Sequence, residues 1–111
     1  MYQIDVHSNH ETTRDALYQL DKTIELLRKQ KEHVFSVIVG YGSTGGSHKI
    51  KTAVIDCLNE KLLKHQVKGF IVGSELDIFN SNYQKLNDFQ KKLVLDKLGR
   101  THNPGEIIVF I

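Results

Sequence analysis

The sequence predicts an α/β two-layer sandwich: a four-stranded mixed sheet built in the order β-α-β-α-β-α-β, in which the third helix is an extra one before the last strand. Three observations support this fold class. The hydrophobic pattern switches cleanly between the two-residue period of strands and the 3.6-residue period of helices. Two strand–helix–strand units follow one another, and right-handed crossovers place their helices on one face of the sheet. The 111 residues suffice for one domain, residues 1–111, with a core that needs no disulfide bonds.

The first four elements alternate strand and helix. Apolar residues alternate with polar ones over residues 2–7, as in a strand with one buried face. Residues 12–15, Thr-Thr-Arg-Asp, resemble a capping box and predict a helix, because such a box satisfies the first free N–H groups. Its apolar stripe comprises Leu17, Leu20, Ile24 and Leu27. The apolar run at 33–39 predicts a buried strand. A second helix, capped by Ser47, turns inward Ile50, Val54, Cys57, Leu58 and Leu62.

The remaining elements are two strands separated by a helical insertion. Apolar runs at 67–72 and 106–111 predict the strands, and Asn103-Pro104-Gly105 predicts the turn into the last one. The insertion, at about 77–100, is predicted as a third amphipathic helix that Gly99 ends. Its inward positions are Phe79, Tyr83, Leu86, Phe89 and Leu93, and its outward basic positions are Lys85, Lys91, Lys92, Lys97 and Arg100.

Composition excludes several functional classes. The net charge is only +2, so a nucleic-acid role requires local basic patches rather than a strong overall field. No apolar stretch approaches the length of a membrane span, and the N-terminus lacks the pattern of a signal peptide. The single cysteine, Cys57, provides no disulfide framework and favours a reducing, cytoplasmic location.

The most informative segment is Gly-rich: Gly40-Tyr41-Gly42-Ser43-Thr44-Gly45-Gly46-Ser47, between a strand and a helix. Such a loop exposes unpaired backbone N–H groups and the positive end of the helix dipole, which together bind anions and most often phosphate. The predicted phosphate-binding residues combine N–H groups, hydroxyls and charge: Gly40, Tyr41, Gly42, Thr44, Gly45, Gly46, Ser47, Lys49 and Lys51.

An acid and an imidazole are predicted beside this loop. Asp5 and His7 lie two residues apart on the first strand, with their Cα atoms about 6–7 Å apart and their side chains on one side. Because the first two strands are predicted to be parallel, their carboxyl ends bring this pair near Gly40. The carboxylate can orient the imidazole for proton transfer, or both can hold a divalent metal.

The ordered motifs resemble those of the Smr (small MutS-related) domain family. Ile4-Asp5-Val6-His7 looks like its Leu-Asp-x-His signature, and Val39-Gly40-Tyr41-Gly42 looks like its His-Gly-x-Gly. Thr44-Gly45 and the basic helix start His48-Lys49-Ile50-Lys51 follow in the family's order. The final strand, after Gly105, also matches in position and type.

The resemblance implies a fold similar to the C-terminal domain of translation initiation factor three. It further implies binding of DNA or structured RNA, with nicking-endonuclease activity in many members. Asp5 and His7 would then be the catalytic pair, with Mg²⁺ or Mn²⁺ as the cofactor of a cleaving member. The family's loop histidine is replaced here by Val39, which cannot transfer a proton, and His48 is the candidate to substitute for it.

Two other functional classes stay open. Gly40-x-Gly42-x-x-Gly45 formally satisfies the dinucleotide fingerprint, although it follows the second strand and lacks the acidic residue expected about 20 positions later. Alternatively, the helix at 77–100 docks a partner protein, which an exposed apolar stripe on that helix would favour. Asp5 and His7 also have a purely structural interpretation as a hydrogen-bonded pair, and the glycines one as a tight turn.

Overall fold

The computed structural model describes residues 1–7, 12–40, 45–76, 80–99 and 103–111. The strands are β1 (Tyr2–Asp5), β2 (Val34–Ile38), β3 (Gly69–Val72) and β4 (Glu106–Phe110). The helices are α1 (Thr13–Lys29), α2 (Gly45–Leu63), α3 (Ser81–Gln84) and α4 (Asp88–Leu98), and a 3₁₀ turn covers Gly73–Glu75.

The strands form a mixed sheet in the order β1-β2-β4-β3. β1 and β2 are parallel, and β4 runs antiparallel to both β2 and β3. The carboxyl ends of β1, β2 and β3 therefore meet at one edge, which also holds the start of β4. The α/β fold class and the parallel pairing of the first two strands are confirmed. A dinucleotide fold has a doubly wound parallel sheet, so the alternative based on the fingerprint loses its structural basis.

The larger core lies on the side of the sheet covered by α1 and α2, here called the first face. Alternate residues of the strands point to this side and include Ile4, Phe35, Val37 and Ile107. Thr12 caps α1 by accepting a hydrogen bond from the backbone N–H of Asp15 at 3.2 Å, which is one of the two hydrogen bonds of the predicted capping box. The two helices contribute buried residues at the predicted spacing: Leu20, Ile24, Leu27, Ile50, Val54 and Leu58. Lys61 of α2 also pairs with Asp21 of α1 at 2.6 Å.

The opposite side of the sheet, here called the second face, carries a smaller core beneath the predicted insertion. The prediction of one continuous helix is wrong over the described residues, because α3 ends at Gln84 and α4 starts anew at Asp88. Asn87 caps α4 in a capping box with Gln90, which sets a new helical register. Consequently Phe89 is 74% exposed rather than buried. The buried residues are Tyr83, Leu86, Val94 and Leu98, while residues 77–79 and 100 lie outside the described part.

Two further details of α2 differ from or extend the predictions. The helix begins at Gly45, so Ser47 lies inside its first turn and is not the cap. Cys57 is half-buried, and burial raises the pKa of its thiol above the ordinary value, which keeps the sulfur in its less reactive protonated form. Within the described ranges, every helix is too short or too polar to cross a membrane.

Candidate functional site

Three predicted site residues lie together at the carboxyl edge of the sheet. Asp5 ends β1, His7 follows in a bend, and Gly40 stands two residues beyond the end of β2. The parallel pairing of Asp5 with Ile38, extended by a hydrogen bond from the Val6 N–H to the Ile38 carbonyl oxygen at 3.0 Å, carries both chains to this point. The strand topology thus brings Asp5 and His7 beside the start of the Gly-rich segment.

The imidazole of His7 lies against the α-carbon of Gly40. A β-carbon added at Gly40 would lie 2.7 Å from Cδ2 and 2.9 Å from Nε2 of His7, which is closer than any side chain tolerates. Gly40 also has a φ of +78°, in the left-handed region that glycine adopts without steric cost. Position 40 therefore favours glycine for the turn, and any other residue there would also displace the His7 ring.

Asp5 shapes the backbone that carries His7. Its Oδ1 accepts a hydrogen bond from the backbone N–H of His7 at 2.8 Å, and both residues are half-buried. This is an Asx-type turn, in which a short carboxylate fixes the chain two residues onward. The sequence placed both residues on one strand, but β1 ends at Asp5 and His7 lies beyond it. The carboxylate thus positions the histidine through its main chain.

Close contacts between main-chain segments hold Gly40 in place. The Val39 N–H donates to the Gly105 carbonyl oxygen at 2.7 Å, and a β-carbon at Gly105 would lie 2.9 Å from the carbonyl carbon of Gly40. A β-carbon at Gly73 would lie 2.0 Å from the Asn103 carbonyl oxygen. The site therefore rests on contacts between main chains that any side chain would push apart. The sequence had indicated a turn at 103–105 but not this packing.

The first turn of α2 supplies the other predicted phosphate-binding groups. Gly45, Gly46, Ser47 and His48 are helical, and the leading N–H groups of a helix have no partner within it. Tyr41, Gly42 and Thr44 lie outside the described residues, and for residues 45–48 only the backbone is described.

Lys49 and Lys51 lie on different sides of α2. Residues two apart on a helix are rotated by about 200°, and Ile50 between them is buried. Lys49 is exposed and Lys51 is half-buried. The two lysines therefore flank the buried stripe and do not converge on one phosphate group, so their contributions need separate tests.

Val39, which stands where the motif resemblance would place a histidine, is fully buried in the larger core. It has no titratable group and faces the apolar side chains of the first face. Any proton transfer at this site would therefore rely on His7 or on another group, because the side chain at position 39 contributes only packing.

A polar cluster on the second face was not identified from the sequence. Ser36 donates a short hydrogen bond to Glu106 Oε2, and both side chains are buried. Lys97 of α4 lies 3.6 Å from the same oxygen and donates to Gln3 Oε1 at 3.1 Å. The cluster ties the carboxyl end of α4 to three strands. Its only sequence signal was a serine and a glutamate within otherwise apolar strands.

A metal site is not assembled by the side chains that the structure describes. Within the described ranges, no three His, Cys, Asp or Glu residues converge as ligands would. Mg²⁺ and Mn²⁺ in phosphate-processing sites commonly use one or two carboxylates together with waters and substrate oxygens. Of the two carboxylates at this edge, Glu106 contacts Ser36 and Lys97, and Asp5 accepts the backbone N–H of His7.

Comparisons with known proteins identify the fold. No protein-family model matches the chain, and none of the curated proteins matches it. Among solved structures, the Smr domain of MutS2 from Thermus thermophilus superimposes with a TM-score of 0.60 at 14% sequence identity. The match covers 99% of this chain and 96% of that domain, so the agreement extends over the whole sheet and its helices. The chain therefore has the fold of an Smr domain, as its ordered motifs predicted.

Proposed function

We propose that this protein binds nucleic acid, DNA or structured RNA, at the carboxyl edge of its sheet. The observation that carries the proposal is the packing of the His7 ring on Gly40, at the point where a Gly-rich segment leads into the long helix α2. The Smr fold adds support, because the motif resemblance implies nucleic-acid binding for that family. Phosphate is the anion that such an arrangement of N–H groups and helix dipole accepts best.

Binding would use the backbone first and side-chain charge second. The N–H groups at Gly45 and Gly46 lead α2 and carry no side chain that would keep a phosphate away. Lys49 is exposed just beyond them and adds a positive charge. Contacts of this kind position a phosphate backbone without reading its sequence, so affinity would depend strongly on salt and little on base composition.

Cleavage of the bound strand is the second step of the same proposal. His7 would take a proton from an attacking water while the phosphodiester P–O bond breaks and the leaving oxygen is protonated from solvent. Asp5 would hold the backbone of His7 so that the ring stays beside Gly40. Mg²⁺ or Mn²⁺, when bound, would neutralise phosphate charge. Val39 removes one proton-transfer group of the family pattern, so binding is the primary function proposed.

The binding proposal is tested by fluorescence anisotropy with a labelled duplex DNA and a labelled RNA stem-loop over a series of NaCl concentrations. We expect Lys49→Ala to weaken binding and to reduce the slope of log K against log salt by about 1. Lys29→Ala is the matched control, because Lys29 is an exposed lysine at the far end of α1. Equal effects of the two substitutions, or no binding by the unmodified protein at low salt, would overturn the proposal.

The cleavage step is tested with supercoiled plasmid in Mg²⁺, in Mn²⁺ and in chelator. His7→Gln should abolish nicking and leave affinity within about twofold, because the phosphate contacts lie elsewhere. Asp5→Asn retains an oxygen that accepts the His7 N–H and removes only the charge, so it separates positioning from electrostatics. Equal loss of nicking and binding in both variants would assign the pair a structural role instead.

The predicted protein partner at residues 77–100 remains a separate hypothesis. Its criterion was an exposed apolar stripe along the insertion. Tyr83, Leu86 and Leu98 are buried, whereas Phe89 and Leu95 are exposed on different sides of α4. Single exposed side chains, rather than a stripe, give a helical or extended partner few anchors.

A further inference from the structure

We propose that the side of α4 carrying Phe89, Leu93 and Lys97 is a track for a single-stranded nucleic-acid segment, with one base stacked on Phe89. The inference rests on the proposed function and adds a substrate class to it: a single strand or a flap, rather than a duplex alone. Four features of the described residues support it: an exposed ring, a groove beside the ring, a positive charge on its rim, and a path that leads to Asp5.

Phe89 is an exposed aromatic ring next to a cavity. The residue is 74% exposed and lies on the first turn of α4. Beside it lies a groove of about 280 Å³, lined by apolar side chains that include Val34, Leu93 and Phe110. A base needs a flat apolar surface on one face and room on the other, and both are present. Phe89 belongs to neither core cluster, so packing within the protein does not explain why an aromatic ring stands at this position.

The rim of the groove carries the positive charge of Lys68. Lys68 and His33 line it together with the amides of Asn87 and Gln90, and none of the lining residues is Asp or Glu. A neighbouring depression shares Lys68 and adds Lys85. Another shares His33 and adds Arg28 and Lys31, against a single acid, Glu32. Positive charge around an apolar floor complements a base with its phosphates.

The same side of α4 leads from the groove to the candidate site. Phe89, Leu93 and Lys97 are spaced by four residues, so they follow one another along one side of the helix over about 12 Å. Lys97 reaches Gln3, and Gln3 lies on the same face of β1 as Asp5, two residues and about 7 Å away. The path therefore spans about 19 Å, which corresponds to about five or six nucleotides of a stacked strand.

A single ring with cations favours a base over a peptide. Leu95, the other exposed apolar residue of α4, is rotated by about 240° from Phe89 and faces away from the groove. Peptides that dock on helices or grooves use several anchors at regular spacing, whereas stacking needs only one ring for each base. The acids on α4, Asp88 and Asp96, do not line the groove.

The test compares a labelled twelve-nucleotide oligo(dT) with a blunt duplex by fluorescence anisotropy. Phe89→Ala should weaken oligo(dT) binding about 5- to 150-fold, the loss of one base stack, and should leave duplex binding within about twofold. Phe89→Trp should retain or increase the affinity, because the larger ring still stacks. Leu95→Ala is the matched control, an exposed apolar side chain on the other side of the same helix, and should have no effect.

An abasic version of the oligonucleotide separates stacking from charge. It keeps every phosphate, so it should bind equally to the unmodified protein and to Phe89→Ala. Equal losses for Phe89→Ala and Leu95→Ala, or an equal loss on duplex, would overturn the track. Duplex binding with no oligo(dT) binding would overturn it while leaving the proposed function intact, and binding of neither would overturn both. If an acidic hexapeptide with a central Leu-Phe shifts the Phe89 ring resonances and oligo(dT) does not, the groove holds a peptide instead.

Discussion

The two faces of the sheet are built from the same four strands but are covered in different ways. On the first face, two long helices without interruption bury a continuous core, including Leu20 and Leu58. On the second face, a four-residue helix and an eleven-residue helix bury a smaller cluster around Ile71, Ile108 and Leu98. The partial cover leaves a groove beside Phe89. A closed face supplies stability, and a partly closed face leaves room for a ligand.

The helices on the two faces also differ in how regular their hydrophobic patterns are. The stripes of α1 and α2 repeat without a break, and most of the residues predicted on them are buried: Leu20, Ile24, Leu27, Ile50, Val54 and Leu58. The insertion contains Asn87, whose side chain accepts the Gln90 N–H and starts a new helix, so residues before and after it do not share one register. Extending a single 3.6-residue stripe across that cap placed Phe89 on the wrong side.

The largest expected difference between the faces is in core truncation. Leu20→Ala, on the first face, should lower the free energy of unfolding by about 4 kcal/mol, because the larger core beneath two long helices cannot close the cavity. Leu98→Ala, on the second face, should lower it by about 2 kcal/mol, because a short helix can shift to fill the space. Both side chains are fully buried, so exposure does not confound the pair. Urea unfolding followed by circular dichroism measures both values.

An equal loss in the two variants would contradict the difference in rigidity between the faces. A lower m-value for Leu98→Ala alone would support the difference in rigidity. It would mean that α4 is partly released from the sheet before the main transition, which then exposes less surface.

A smaller effect is expected at the carboxyl edge of the sheet, where Gly40 lies. Gly40→Ala should cost about 2 kcal/mol, from the positive φ and from displacement of the His7 ring. In a His7→Ala background the same change should cost only about 1 kcal/mol, because the ring is gone and the backbone strain remains. Thermal unfolding of the four proteins of this cycle measures the coupling.

The control for that cycle is Gly69→Ala. A β-carbon at Gly69 would meet nothing within 4 Å, so this substitution should change stability by less than about 0.5 kcal/mol. Additive losses for Gly40→Ala and His7→Ala would show that the ring does not rest on the glycine in solution.

The smallest effect is expected at the cap that interrupts the insertion. Asn87→Ala should lower the free energy of unfolding by about 1 kcal/mol, the usual effect of losing an N-cap side chain. Asn59→Ala is the matched control, since Asn59 is exposed within α2 and alanine is the better helix former there. Chemical denaturation of both variants decides the issue, and equal effects would remove Asn87 as the cause of the broken helix.

Much of the site could be anticipated from the sequence. The strand through Asp5, the turn at Gly40 and the helix after the Gly-rich segment are each indicated by local patterns, although the predicted strand continued to His7 and the predicted cap of the helix was Ser47. Their meeting at one edge followed from the parallel pairing of β1 and β2. The contact of the His7 ring with Gly40 could not be predicted, because it depends on the Asx turn that Asp5 makes with the main chain.

Other features depended on residues far apart in the chain. The bond from Ser36 to Glu106 joins positions separated by 70 residues, and that from Lys97 to Gln3 joins positions separated by 94. Neither pair has a local signature, because the register between strands is decided only when the sheet forms. The track along α4 depends on the same long-range placement.

The sequence by itself determined the elements on the first face and the chemistry gathered at the carboxyl edge. The hydrophobic period, the helix caps and the glycine conformations each depend on residues only a few positions apart, so a short stretch of sequence is enough to predict them. Only the tertiary structure decided the strand order β1-β2-β4-β3, the register of the insertion and the exposure of Phe89. These depend on which surfaces remain uncovered after the sheet has formed, and burial of that kind is a property of the assembled chain.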